Sequence, residues 1–328
     1  MYSRVDYRVP QGSILGPILF LLYTADVLII AARHDVSADS YADDTQLYVH
    51  TTTDNCLAVF GRLTSCINEI AVWISSNRLK LNTGKTQSTC LGTLYQLAKV
   101  DASVLAVNGV AVDLLRSVSC LGVSIDQELT FADHTRSLAC RCFFWIRLLR
   151  LVRRTLTFDT TIALVNALII SRLDYCNSVL VGAYDIQLRQ LQGVLNAAVR
   201  LIACRCKFDG ISSTVRDVLH WLPIRQRVNF KLSVLVFNCL HNLVPSYLMN
   251  MCQSVTRNLH RHCLHSAVPV NLIVPPMRTV HYGPRSFAVA GLSTWNALPA
   301  PLSNDELSAV SFCRQLNTKL YMRVYFSL

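Results

Sequence analysis

Two adjacent carboxylates, Asp43 and Asp44, stand in the stretch Tyr41-Ala42-Asp43-Asp44 between apolar runs. Residues 27–30 (Val-Leu-Ile-Ile) and Val36 precede them and read as β-leaning. Period-two alternation through Thr45–Val49 predicts a strand leaving the pair. A tight hairpin would carry both carboxylates at its tip, where they could converge on a divalent cation. Mg²⁺ favours one or two protein carboxylates together with phosphate oxygens, so such a tip suits phosphoryl transfer. Most Asp-Asp pairs are solvated loop residues, so the surroundings must decide.

Upstream, Pro10 and Gly12 punctuate a turn in which Gln11 offers both a donor and an acceptor. Ser13 is placed to cap a following helix, about Ile14 to Asp26, apolar on nearly all faces and hence expected to be buried. The apolar stretch Ile14–Ala32 is long enough to raise a membrane span, but Asp26, Pro17 and Gly16 argue for a core helix. Downstream, Leu57, Phe60, Leu63, Cys66, Ile67, Ile70 and Ile74 recur at three and four, predicting a long amphipathic helix that ends near residues 73–77. A basic turn containing Lys85 after Gly84 leads into an expected strand over 87–92, and Lys85 could reach a phosphate there. Val104–Val107, Asn108-Gly109 and Val110–Val112 form a hairpin signal. A further strand is expected over Leu121–Ile125, its Gly122 marking a close backbone approach.

From Phe131 the pattern becomes helical and arginine-rich. Residues 131–240 hold 13 Arg but only two Lys. The guanidinium fork is bidentate toward phosphate, so this bias favours phosphate contact over solvation. Helical patterns run over 136–154, 185–206 and 223–240, the last with Arg225, Arg227 and Lys231 exposed, and residues 157–181 are mostly apolar. The last eighty residues are broken by prolines; Arg285, Phe287, Trp295 and Leu298 read as a small packing unit, and 307–324 as a final helix.

The chain has 328 residues, 52% hydrophobic and 16% charged, with net charge +11. Residues 1–130 hold 9 Lys/Arg and 12 Asp/Glu, giving −3; residues 131–328 hold 22 and 8, giving +14. Disorder is excluded by composition, and the asymmetry fits a carboxylate-bearing part joined to a polyanion-gripping part. Thirteen cysteines show no framework of spacings and read as reduced, buried small hydrophobes in cytosol or nucleus. Cys252, His260, His262, Cys263 and His265 match no standard zinc spacing, so no structural zinc is expected.

The motifs Arg8-Val9-Pro10-Gln11-Gly12-Ser13-Ile14-Leu15-Gly16-Pro17, Tyr41-Ala42-Asp43-Asp44, Leu79 to Thr86, and Leu121-Gly122-Val123, in this order and spacing, closely resemble reverse transcriptases of non-LTR (LINE-type) retrotransposons. Ser171-Arg172-Leu173-Asp174-Tyr175-Cys176-Asn177, His220-Trp221-Leu222-Pro223 and Tyr282 to Phe287 are similar to the chicken-repeat-like clade. The resemblance implies an α+β fold: a partial polymerase palm, an antiparallel sheet with helices, over 1–130, a helical thumb-like basic region over 131–243, and an irregular C-terminal region over 244–328. It implies that Asp43 and Asp44 bind Mg²⁺ or Mn²⁺. Gln11, Gly12, Ser13, Tyr41 and Ala42 would border nucleotide and template, Lys85 would serve the triphosphate, and Cys120, Leu121 and Gly122 would form a primer grip. The implied partners are an RNA template, a DNA primer and a dNTP, with no membrane. The family carries another catalytic aspartate upstream of the Pro-Gln-Gly motif, just before which this chain starts. The expectation is therefore a C-terminal fragment without appreciable polymerase activity of its own, the alternative being a non-catalytic nucleic-acid-binding remnant.

Overall fold

The computed structural model describes residues 13–100, 104–107, 109–254, 271–277, 279–280, 282–303 and 307–326. The chain divides into two compact units, Met1–Leu129 and Thr130–Leu328. It is a mixed α+β chain.

In the first unit the order is α1 (Gly16–Tyr23), α2 (Asp26–Arg33), β1 (Ser37–Tyr41), β2 (Asp44–Tyr48), α3 (Cys56–Ser76), α4 (Leu94–Leu97), β3 (Val104–Val107), β4 (Val110–Asp113), β5 (Ser117–Cys120) and β6 (Val123–Asp126). The six strands form three separate antiparallel hairpins, β1-β2, β3-β4 and β5-β6, rather than the single sheet expected. All three turns have two residues, so strand pairing is local and each hairpin closes on its own turn chemistry.

The long amphipathic helix α3 organises this unit. Cys66 and Ile70, with Trp73 and Ile74, pack on Val27, Ile30 and Ala31 of α2 and on Ala38 and Leu47 of the first hairpin. Its other flank, Phe60 and Ile67, covers Leu105, Val107 and Val112 of the β3-β4 hairpin, and Leu63 touches both clusters. Polar ties reinforce the α2–α3 pairing. Glu69 accepts from His34 (2.6 Å) and Arg33 (2.7 Å), and the His34 hydrogen bond holds its carboxyl below the usual range.

Four expectations are corrected by this arrangement. Residues 27–30 are not extended but lie in α2, where Val27, Ile30 and Ala31 bury the i, i+3, i+4 face. The apolar helix expected to be buried ends at Tyr23, a second helix begins at Asp26, and α1 buries none of its residues: Ile18, Leu19 and Leu22 are exposed. Ser13 gives α1 no side-chain cap. Gln87–Gly92 contributes only a one-residue bridge, Ser88 to Leu114, and α4 follows with a capping box between Thr93 and Gln96. Gly16–Arg33 and Thr53–Ser76 are long and apolar enough by composition to cross a membrane, but one or two such stretches are weak evidence, and core helices meet the same test.

The second unit is helical: α5 (Ala132–Val152), α6 (Phe158–Val165), α7 (Ser171–Asp174), α8 (Asp185–Ile202), α9 (Ile224–Leu240), α10 (Ser246–Met249), α11 (Phe287–Asn296) and α12 (Ala309–Tyr325). The apolar run 157–181 is helical from Phe158 to Asp174, through a π turn at Asn166–Ile170, then breaks at Tyr175 and Cys176 before a 3₁₀ turn at Asn177–Leu180. α5 packs along α8, and α9 packs with α11 and α12. Phe237 lies between Phe312 (centroids 4.3 Å) and His241 (3.9 Å), with Trp295 at 6.5 Å. Phe287, Trp295 and Leu298 join this core, as the sequence suggests. Arg285 does not; it lies over the Phe131 ring and donates to the Val181 carbonyl. Gly182, at φ +64°, leaves Arg285 its place, since a Cβ there would meet Arg285 Cγ at 2.7 Å.

Candidate active site

The tip of the first hairpin holds the carboxylates. Tyr41 pairs with Asp44, leaving Ala42 and Asp43 as the two-residue turn. Ala42 has φ +54°, a left-handed conformation that costs an L residue on the order of 1 kcal/mol. The β-branched substitution Ala42→Val should destabilise the unit by about 1–2 kcal/mol, read as a lower urea midpoint at unchanged slope.

Register decides which residues share a face with Asp44. Ser37, Asp39 and Tyr41 on β1 lie opposite Tyr48, Gln46 and Asp44 on β2, and all six are exposed. The alternate residues Ala38 and Leu47 face the α2–α3 core. One face of the hairpin is thus anchored and the other open, as alternation predicts. On the open face the Asp39 charge, aided by a hydrogen bond with the phenol, raises the Tyr48 pKa. Neither Asp43 nor Asp44 makes an ion pair or a side-chain hydrogen bond among the described residues.

The β5-β6 hairpin meets this face. Cys120 pairs with Val123, so Leu121 and Gly122 form its turn, both at positive φ (46° and 82°). This corrects the strand expected over 121–125: Gly122 serves the turn itself, as a primed turn demands. The Cys120 thiol donates to Gln46 Oε1 at 3.6 Å. On the same strand, Ser119 N–H donates to Gln87 Oε1 at 2.8 Å. Lys85 stands exposed in the turn that precedes Gln87, its backbone N–H held by the Asn82 carbonyl at 3.1 Å.

Of the sequence-predicted site residues, Tyr41, Ala42, Asp43 and Asp44 share one tip, and Cys120 reaches their strand through Gln46. Gln11 and Gly12 lie outside the described residues, and Ser13 is half-buried. Residues 260–265 of the zinc reading also lie outside, and Cys252 is half-buried against the helical core. Gln46 and Gln87 do not stand out in the sequence. The available signal for Gln46 is its place two residues after Asp44, on the same strand face.

Two exposed aspartates at an open tip are hard oxygen ligands, suited to one Mg²⁺ or Mn²⁺ that keeps most of its waters. Among the described residues, no group of three or more His, Cys, Asp or Glu side chains gathers. A paired-ion centre, in which carboxylates bridge two ions, is therefore not completed by these residues.

In the second unit the arginines divide into two kinds. Arg153 caps α8, donating to the carbonyls of Leu201 and Ile202, and Arg227 holds Asp174 at 2.8 Å and the Leu222 carbonyl. Arg227 is thus part-buried, not exposed as the helical pattern suggests. Arg216 and Arg225 pair with Asp217 and Asp185. Arg141, Arg150, Arg154, Arg189 and Arg205 are exposed and make no ion pair among the described residues. The cysteines divide likewise: Cys56, Cys66, Cys142 and Cys239 are buried, and burial pushes the Cys142 thiol up to about 11, whereas Cys140, Cys204 and Cys206 are exposed rather than buried as expected.

Residues 3–125 match the family described as reverse transcriptase (RNA-dependent DNA polymerase). The chain is 34% identical over 43% of its length to a probable RNA-directed DNA polymerase from transposon BS of Drosophila melanogaster, covering 16% of that protein. It is 29% identical over 41% of its length to the RNA-directed DNA polymerase from mobile element jockey of Drosophila funebris, covering 14%. A probable RNA-directed DNA polymerase from transposon X-element of Drosophila melanogaster aligns over 69% of this chain at 23% identity, covering 25%. The chain thus spans a quarter or less of these curated relatives. No solved structure matches it.

Proposed function

We propose, from the premise that residues 3–125 are a reverse transcriptase segment of LINE type, that the first unit is part of a polymerase palm. On this reading the second unit is a thumb-like region gripping template and primer, followed by C-terminal helices. The observation that carries the reading is the β1-β2 hairpin, which sets Asp43 and Asp44 at an open tip, with the Cys120 turn against its exposed face. In a complete enzyme the reaction would be nucleotidyl transfer from a dNTP to a DNA primer along an RNA template. Bound Mg²⁺ or Mn²⁺ would neutralise charge on the phosphate oxygens.

Each residue has a part in that reading. Asp43 and Asp44 supply fixed negative charge at the tip. Lys85 presents an ammonium at a turn, placed to protonate or neutralise a departing pyrophosphate. The Leu121-Gly122 turn offers backbone close to a primer end. Gln11, Gly12, Ser13, Tyr41 and Ala42 would border nucleotide and template. The site of action would be nuclear or cytoplasmic. The chain alone is expected not to extend a primer, because two adjacent carboxylates fall short of a paired-ion centre.

A second reading, a non-catalytic nucleic-acid-binding remnant, is favoured by the exposed arginines that make no ion pair among the described residues. Both readings place phosphate contacts in the second unit. Affinity for an RNA–DNA hybrid should then fall steeply with salt. Replacing Arg141, Arg150 and Arg154 by alanine should flatten the log–log slope by roughly 0.9 for each phosphate no longer neutralised. Fluorescence anisotropy across a salt series measures this. Salt-independent binding, or none, removes both readings.

A further inference from the structure

The carboxylate tip, the β5-β6 turn and the Lys85 turn come from three separate stretches of the first unit, yet two glutamines join them. Gln46 lies two residues beyond Asp44 on the open face of β2, and its side-chain oxygen accepts from the Cys120 thiol at 3.6 Å. Gln87 lies two residues beyond Lys85, and its side-chain oxygen accepts from the Ser119 amide at 2.8 Å. Cys120 and Ser119 are adjacent in β5, the strand that enters the Leu121-Gly122 turn. An uncharged amide can hold a thiol and a backbone N–H without adding charge beside the carboxylates.

The surrounding packing gives these contacts their importance. The β5-β6 hairpin is a sheet of its own and shares no strand with β1-β2. Two-stranded hairpins are marginal unless something else holds them. Besides the Gln87 contact, main-chain bonds at the open end, such as Gly92 N–H to the Gln127 carbonyl at 3.0 Å, secure the strands where they leave the hairpin. At the turn end, the Cys120 thiol hydrogen-bonds Gln46, one tie between this turn and the strand that carries Asp44.

We propose that Gln46 and Gln87 are positioning residues that hold the Leu121-Gly122 turn in register with Asp43 and Asp44, so that the recessed end of a bound RNA–DNA hybrid meets turn and carboxylates together. This rests on the polymerase reading above. Neither glutamine touches reacting atoms; each acts through β5.

The test uses the full chain and the alkylation rate of Cys120 by N-ethylmaleimide, read by mass spectrometry of its peptide, beside hybrid affinity by anisotropy. Gln46→Ala should raise the rate several-fold, while Gln46→Glu, which keeps an acceptor oxygen, should leave it slow. A hybrid with a recessed DNA 3′ end should slow alkylation in the unaltered chain. That protection should vanish in Gln46→Ala and Gln87→Ala, while affinity, set by backbone contacts elsewhere, changes little. An unchanged rate in Gln46→Ala, or equal protection in all variants, overturns the proposal. A hybrid that binds the unaltered chain yet leaves Cys120 unprotected overturns it while the polymerase reading stands. A chain that binds no hybrid at low salt fails the underlying reading, and the proposal falls with it.

Discussion

Phe237→Ala should cost the second unit about 3–5 kcal/mol, the cost of emptying a large aromatic site in a close-packed core. The Phe237 ring is 1% exposed. It stacks on Phe312 at 4.3 Å and 15° and on His241 at 3.9 Å and 22°, and it touches the Trp295 group of α11. Three helices, α9, α11 and α12, would be deprived of their shared packing centre at once. The neighbours cannot collapse into the gap without moving a helix, because Trp295, Phe312 and Leu316 are themselves buried. Chemical denaturation should show a large drop in midpoint for the helical unit. Phe237→Leu, which keeps part of the volume, should cost less than half as much.

Arg227→Met should be the most damaging polar substitution, at about 2–3 kcal/mol. Arg227 is 14% exposed, and its guanidinium serves the Asp174 carboxylate at 2.8 Å, the Leu222 carbonyl at 2.8 Å and the Trp221 face at 5.8 Å. It thus joins the Ser171–Asn177 motif to the His220–Pro223 motif. Asp174 is 41% exposed, which discounts the ionic share, so most of the loss comes from the carbonyl and ring contacts. Arg227→Lys should rescue little, because an ammonium cannot serve three partners in fixed directions. Arg225→Ala is the comparison: its pair with Asp185 is more than 60% exposed on both sides and should contribute less than about 1 kcal/mol. Thermal or urea melts of the three variants should rank them Arg227→Met, Arg227→Lys, Arg225→Ala, from most to least destabilised.

The contrast between these two arginines shows where sequence reading stops. Both lie on α9, two residues apart, and the helical pattern gives both as exposed. Their partners, Asp174 and Asp185, are 53 and 40 residues away. No local rule reports such a pairing, so an arginine bias cannot by itself separate phosphate ligands from structural forks. The hairpins were legible for the opposite reason: a two-residue turn flanked by alternation is a local signal, and β1-β2 and β3-β4 follow it. The β5-β6 turn was misplaced because Leu121 takes positive φ without being Gly, Asn or Asp. The Val-Leu-Ile-Ile run deceived because β-branched composition outweighed its i, i+3, i+4 spacing in a short window. Helix α1 inverts the usual expectation: apolar on every face, it nonetheless exposes Ile18, Leu19 and Leu22. Composition measures what a helix can bury, not what is there to cover it.

At the site, the carboxylate tip is legible from local pattern and the Cys120–Gly122 hairpin only through the family resemblance, whereas the glutamine contacts between them are not legible. Hydrogen bonds across 74 and 32 residues leave no spacing to detect. On the proposed reading, the expected failure of this chain to extend a primer is likewise a matter of site chemistry. Motifs match as residue types in order, whereas nucleotidyl transfer requires a complete ligand set in space.

Magnesium-dependent primer extension by the purified chain, run beside Asp43→Asn on a recessed RNA–DNA hybrid, tests that separation most directly. The expected result is no incorporation by the unaltered chain above the Asp43→Asn level at any Mg²⁺ or Mn²⁺ concentration, while hybrid binding persists. Metal-dependent extension that Asp43→Asn abolishes would contradict it.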